Sequence, residues 1–385
     1  MLNIQFDVQL LMDENKTGIS WTAQKIIEGL AKAYRQNTYL LNYFALIHLQ
    51  EKRNFLSELL KYGCRSNECR WFHSSLYKIL YNFVPIPYSL FFGNKSDITH
   101  FMNYYVPPGV KGKVVTMVYD MVYKVFPETM NTKTRIMLNL IMKRSCKRAD
   151  IIVTISQFSK NEIIKYLKVS QEKIVVMPCG VDLELYRPDY SKETVFKVLD
   201  KYGISSEYFL YIGTLEPRKN IERLIDAYYI LKQRSANSHK LVIAGRKGWQ
   251  YDSIFKKVNS LGLNDDVIFT GYVDAADSPV LIKGAAAFVF PSIYEGFGMP
   301  PLEAMACGTP VITSNVASLP EVVGDAALMV DPFSVEAIAG AMERIISDIH
   351  LRSELSQKGL ERASSFSWDH SVRIISEVYA RLAVQ

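Results

Sequence analysis

The sequence predicts an α/β protein of two domains, each built on a parallel sheet. Three features support this: short apolar runs ending in glycine, helical stretches between them, and a length beyond one ordinary core. YFLYIG (208–213) and KLVIAG (240–245) are apolar runs closed by Gly, as buried parallel strands are where they enter loops. VIFTGYV (267–273) and AAAFVFPS (285–292) have the same form. Between them NIERLIDAYYILKQ (220–233) puts Ile221, Leu224, Ile225 and Tyr228 on one helical face. A chain of 385 residues suits two domains of about 180–200 residues each. Strand–helix alternation then gives two α/β halves with a cleft between them.

The first half repeats the pattern less regularly. The opening MLNIQFDVQLLMDENKTG has no basic region before its apolar stretch and is expected to form a buried first strand, not a signal peptide. TGISWTAQKIIEGLAKAY (17–34) reads as a glycine turn and a helix, and KVVTMVYDMVY (113–123) contains a strand. ADIIVTISQFSKNEIIKYL (149–167) is a strand, a serine cap and a helix. KIVVMPCGVDLELYRP (173–188) is a strand followed by a connection, which puts the expected domain boundary near residue 187.

Composition narrows the class. The chain is 49% hydrophobic and 22% charged, and no segment reaches the roughly 20 apolar residues of a membrane span. A cytoplasmic protein is expected. The five cysteines are scattered, and Cys64 and Cys69 have no second pair to complete a zinc site. Residues 1–190 carry 25 Lys+Arg against 16 Asp+Glu, and the remainder 20 against 23, so the basic half should face an anionic partner. KTRIMLNLIMKRSCKR (133–148) joins clustered cations to an apolar stretch at helical spacing. An anionic membrane surface, not nucleic acid, is its expected partner, with a core-facing helix as the alternative.

Two segments carry the chemistry. PSIYEGFGMPPLEAMACGTPVI (291–312) runs from a strand end into a helix that Pro300 or Pro301 can start. Gly296 and Gly298 would let a ligand approach the backbone, and the helix start would present N–H groups to an anion. Glu295 and Glu303, the latter expected in the first helical turn, would repel a diphosphate. Glu303 suits a ribose diol and Glu295 sugar hydroxyls. In YIGTLEPRKNIERLI (211–225) the cations Arg218 and Lys219 precede a helix whose expected cap is Asn220. Positive charge at a helix start is unfavourable unless an anion compensates it, and a diphosphate would do so.

EGFGMPPLEAM, with Glu295 and Glu303 eight residues apart, preceded by GTLEPRKN, resembles the retaining glycosyltransferases of family 4. TGIS (17–20), VYDMVYKVFPE (118–128), TISQFSKNEI, VMPCGVDLELYRP, LVIAGRKGW, SNVASLPEVVGDAALMVDP and FSWDHS follow in family order over nearly the whole chain. The resemblance implies a GT-B fold, two Rossmann-like domains facing a central cleft. Residues 1–187 and 368–385 would bind the acceptor, with the last helix crossing back, and 188–367 the nucleotide sugar. It implies that Arg218 and Lys219 bind the diphosphate and Glu303 the ribose. Glu295 would meet the donor sugar beside the backbone of Phe297, Gly298 and Met299. Val273 would lie near the base, Gly18 near the phosphates, and Asp120 at the acceptor and reacting sugar. Many relatives have His-Asp where this chain has Tyr119-Asp120, which weakens the assignment of Asp120. His100 is read either as bordering the cleft or as a core residue.

The implied function is transfer of a hexosyl group with retention to a glycan or polyprenyl-linked saccharide in surface polysaccharide synthesis. Asp120, Glu295, Arg218 and Lys219 would be the catalytic set. GDP-mannose is the first expectation for the donor, with UDP-hexose, UDP-N-acetylhexosamine and dTDP-rhamnose as alternatives. No cofactor is expected, and no Asp-x-Asp triplet suggests a metal. A hydrolase would have no use for the cationic pocket, and an oxidoreductase would need a G-x-G-x-x-G after a strand. A non-catalytic nucleotide-sugar-binding protein remains the alternative from another class.

Overall fold

The computed structural model describes residues 1–12, 17–81, 84–234 and 238–384. They form two compact units: Met1–Val125, Thr132–Gly180 and Trp368–Gln385 in the first, Phe126–Asn131 and Val181–Ser367 in the second. The chain leaves the first unit at Gly180, earlier than the expected 187. The reason is local, since the Val181 N–H donates to the Phe366 carbonyl at 3.1 Å. Segment 126–131 also joins the second unit. Trp249 Nε1 donates to the Thr129 carbonyl at 2.8 Å, and the Phe126 ring packs edge-on to Tyr294.

The first unit holds seven strands: β1 (Asn3–Asp7), β2 (Thr38–Phe44), β3 (Arg65–Cys69), β4 (Ile98–Phe101), β5 (Lys113–Met117), β6 (Ile151–Thr154) and β7 (Ile174–Val176). They form one parallel sheet in the order β3-β2-β1-β4-β5-β6-β7. Side chains alternate across it, so Ile4 and Phe6 fill one face of β1 while Gln5 and Asp7 point to the other. Helix α1 (Gly18–Ala33) is capped by the Thr17 hydroxyl and buries Ile26, Ile27 and Leu30. In α2 (Thr132–Arg148), Leu138, Ile141, Met142 and Cys146 face the core.

The second unit holds β8 (Tyr208–Ile212), β9 (Lys240–Ala244), β10 (Val267–Gly271), β11 (Ala287–Phe290), β12 (Val311–Ser314) and β13 (Leu328–Val330). They are parallel in the order β10-β9-β8-β11-β12-β13. Helix α3 (Ile221–Arg234) buries Ile221, Leu224, Ile225 and Tyr228, the expected face. Helix α4 (Met299–Ala306) follows β11.

Helix α5 (Trp368–Val384) returns to the first unit and lies on α1, where any side chain at Gly29 would collide with Val372. The ring of His100, on β4, lies with Nδ1 2.6 Å from the Tyr379 hydroxyl of α5. It is fully buried, and burial pushes its pKa down to about 3. His100 is therefore a core residue that ties helix to sheet.

Each sheet has one place where the winding direction reverses, β1/β4 in the first and β8/β11 in the second. Ligands of open α/β sheets bind at the carboxyl ends of the strands at such points.

Candidate functional site

The loops leaving β8 and β11, the two strands at the reversal of the second sheet, carry most of the expected site residues. After β8 the chain runs past Gly245, whose φ of +142° and contact with the Gly213 carbonyl leave no room for a side chain. It then makes a tight turn, Pro217–Lys219, and enters α3. Arg218 Nη1 donates to the Tyr294 carbonyl at 2.7 Å and lies 2.9 Å from Glu295 Oε2, while Nη2 lies 2.6 Å from Glu216 Oε1. Lys219 Nζ donates to Glu295 Oε1 at 2.6 Å and stands 4.8 Å from the Phe290 ring centroid.

The two cations are thus compensated from within the chain. Burial alone would raise the Glu295 carboxyl, but Arg218 and Lys219 outweigh it and hold it at about 2. Sequence reasoning assigned the balancing of Arg218 and Lys219 to an anionic ligand, whereas in the structure Glu295 and Glu216 already pair with them. Such a cluster is pre-set, with side chains fixed before any ligand arrives.

Asn220 also departs from its expected role. Its φ is 61°, and its amide donates to the carbonyls of Pro291 at 2.9 Å and Pro332 at 2.7 Å. It ties the β8 loop to the β11 loop, a task its left-handed backbone suits, since Asn tolerates that region.

Gly298 precedes α4 with φ +123°, and a Cβ there would lie 2.8 Å from Leu319 Cδ2. The Ser318 hydroxyl bonds the carbonyls of Glu295 at 2.9 Å and Phe297 at 2.7 Å, fixing the glycine loop from the other side. Helix α4 starts at Met299, so Pro300 and Pro301 occupy its second and third positions. Neither has an N–H. The helix start therefore lacks the N–H donors of its second and third residues.

Glu303 is the fifth residue of α4, and no acidic residue lies in the first turn, contrary to expectation. Burial pushes its carboxyl up to about 7, and a hydrogen bond with Tyr186 opposes the shift. A carboxyl so placed accepts hydroxyl donors readily, because they favour its ionised form. Phe297, Gly298 and Val273 are buried and Met299 is half-buried.

Gly18 and Asp120 belong to the first unit. Gly18 opens α1 with empty space where a Cβ would stand. Asp120 is half-buried after β5 and its Oδ1 accepts the Val122 N–H at 3.0 Å. Tyr119 is buried, and its hydroxyl donates to the Met102 carbonyl at 2.9 Å, so its ring serves the core. Sequence reasoning missed Tyr186, Glu216 and Ser318. Tyr186 and Ser318 lie in VDLELYRP and SNVASLPE, segments that looked family-like but suggested no role.

The fold superposes on the Anabaena protein HepE, solved in complex with UDP and glucose, with a TM-score of 0.74 and 20% identity, covering 99% of this chain and all of that one. The fold is GT-B, and the protein is a glycosyltransferase. Residues 41–185 match Glycosyltransferase Family 4 and residues 196–362 match Glycosyl transferases group 1. The chain belongs to glycosyltransferase family 4. It is 38% identical to O-antigen chain mannosyltransferase B of Escherichia coli over 280 residues, 72% of each protein. It is 37% identical to the serotype-specific mannosyltransferase WbdA of Escherichia coli over 238 residues, 61% of this chain but 29% of WbdA.

Proposed function

We propose that this glycosyltransferase moves a mannosyl group from GDP-mannose, with retention, onto a saccharide acceptor in surface polysaccharide synthesis. The observation that carries the reading is the identity to O-antigen chain mannosyltransferase B over 72% of both chains. In this reading Arg218 and Lys219 stabilise the departing diphosphate, an electrostatic contribution of roughly 2–4 kcal/mol per donor lost. Glu303 accepts the ribose hydroxyls. Glu295 orients the cations and meets the sugar with its remaining lone pairs. Both of its oxygens already pair with cations, which disfavours it as a nucleophile and favours front-face substitution, with the acceptor's proton passing to the leaving phosphate. Transfer is expected without a metal, since no Asp-x-Asp triplet is present to hold one.

The same reading puts the enzyme at the cytoplasmic face of a membrane, supported by α2. Ile136, Met137 and Leu140 are exposed, two of them by more than half, in line with exposed Lys133, Lys143, Arg144 and Lys147. An apolar stripe between basic ends suits an anionic lipid surface. Among the described residues no helix is long and apolar enough to cross a membrane.

The test is thermal stability of the intact protein and Glu303→Ala against GDP, UDP, ADP and dTDP. A ligand at 100 times its dissociation constant adds about 2.7 kcal/mol. Stabilisation by GDP, much reduced in the variant, is expected. A response to UDP or dTDP alone sinks the donor assignment.

A further inference from the structure

The first unit carries a polar arrangement that the proposed donor chemistry does not use. Asp7, Asn42 and Asn67 stand side by side on β1, β2 and β3, in register and facing the same way. Their hydrogen bonds run in one direction. Asn67 Nδ2 donates to Asn42 Oδ1 at 2.7 Å, Asn42 Nδ2 to the Tyr88 hydroxyl at 3.2 Å, and the Tyr88 hydroxyl to Asp7 Oδ2 at 3.1 Å. Gln5, on the same face of β1, accepts from Asn42 Nδ2 at 3.0 Å and donates to the Phe92 carbonyl at 3.2 Å. Gln5, Asn42 and Tyr88 are buried.

Apolar side chains of similar shape would fill this space with equal stability, since hydrogen bonds replaced in pairs are nearly neutral. What the chain of donors achieves is orientation. Each member fixes the next, and the last bond holds the Asp7 carboxylate as an acceptor. Asp7 is half-buried and is the final residue of β1, directly beside β4, where the winding of the sheet reverses. An ionised carboxylate has about four acceptor sites. The protein donors to Asp7 among the described residues are the Tyr88 hydroxyl and the Gln9 backbone N–H. Capacity remains for donors from outside, and neighbouring hydroxyls of a sugar ring are donors of that kind.

We propose that Asp7, held by the Asn67–Asn42–Tyr88 chain, binds hydroxyl groups of the acceptor saccharide. This rests on the reading that the enzyme glycosylates a saccharide. Tyr88 and Asn42 are positioning residues; Asp7 touches the substrate.

The experiment compares the full chain with Asp7→Asn and Tyr88→Phe, using octyl mannoside and octyl N-acetylglucosaminide as probes. Direct saccharide binding, acceptor KM, donor KM and the GDP-induced thermal shift are measured together. Asp7→Asn should weaken saccharide binding and raise acceptor KM about tenfold or more, the effect expected for lost bonds to a charged group. Donor KM and the GDP shift should stay unchanged, and Tyr88→Phe should fall between. Unaltered saccharide binding in a folded Asp7→Asn protein overturns the proposal, as does a loss of the GDP shift alongside it, which would mark Asp7 as structural. Failure of the parent chain to bind either probe also counts against Asp7. A parent chain that binds saccharide but transfers nothing defeats the functional reading, while the binding comparison still decides Asp7.

Discussion

Replacing Glu303 by Gln should make the ligand-free protein more stable, and more so as the pH rises. The carboxyl titrates near 7 in the folded chain because burial penalises its charge, against an ordinary value of 4.5. Below about pH 4.5 the acid is protonated in both folded and unfolded chains, and it costs nothing. Between 4.5 and 7 the folded chain holds a proton that the unfolded one has released, so stability falls as pH rises. Above 7 the full difference applies. A gap of that size corresponds to about 3 kcal/mol. Most of the cost is absent at pH 5 and nearly all of it, about 3 kcal/mol, is present at pH 8. Gln mimics the neutral acid and keeps a partner for the Tyr186 hydroxyl, so Glu303→Gln should recover most of that cost. Urea unfolding at pH 5 and pH 8 measures it, read on the transition that nucleotide shifts. The same variant should lose most of its nucleotide response, since an amide is a poorer acceptor for ribose hydroxyls than a carboxylate. In the parent chain nucleotide should bind more tightly at pH 8 than at pH 6, releasing a proton. A variant no more stable than the parent at pH 8 refutes the reasoning.

Other expectations follow from the same geometry. Lys219→Ala should cut transfer and also destabilise the second unit by about 3–5 kcal/mol, because Glu295 would keep a buried charge with one partner fewer; unfolding that matches the parent chain contradicts this. Gly298→Ala should lower the melting temperature, since φ is +123° and the new methyl meets Leu319. A cost of about 1–3 kcal/mol is expected from the backbone alone, and unchanged calorimetry would rule out the loop geometry. Ile136→Glu with Leu140→Glu on α2 should abolish co-sedimentation with anionic vesicles and leave transfer to a soluble acceptor intact. Equal sedimentation of parent and variant argues against α2 as the membrane face.

The strands of the second sheet were the most legible, because β8 and β9 are largely buried and are followed directly by Gly213 and Gly245. β3 was not, since RSNEC is a polar strand at the edge of its sheet with one fully buried residue. In the site, the residue types at 218, 219, 295 and 303 were readable from local motifs. Their pairing was not. Lys219 and Glu295 are 76 residues apart in sequence, and only the adjacency of β8 and β11 brings them to 2.6 Å. The role of Asn220 could not be anticipated either, because the carbonyls its side-chain amide reaches, Pro291 and Pro332, are 71 and 112 residues away in sequence. The Asp7 chain escaped notice for a related reason. Gln5, Asn42 and Asn67 are unremarkable singly and acquire meaning only in register.

The most direct test of the central claim is product formation. The full chain is incubated with GDP-mannose and a saccharide acceptor in excess chelator, and the new linkage is read by nuclear magnetic resonance. The account predicts mannosylated product with the α configuration of the donor retained, undiminished by chelation. Hydrolysis without transfer, an inverted linkage, or transfer only from another nucleotide sugar would contradict it.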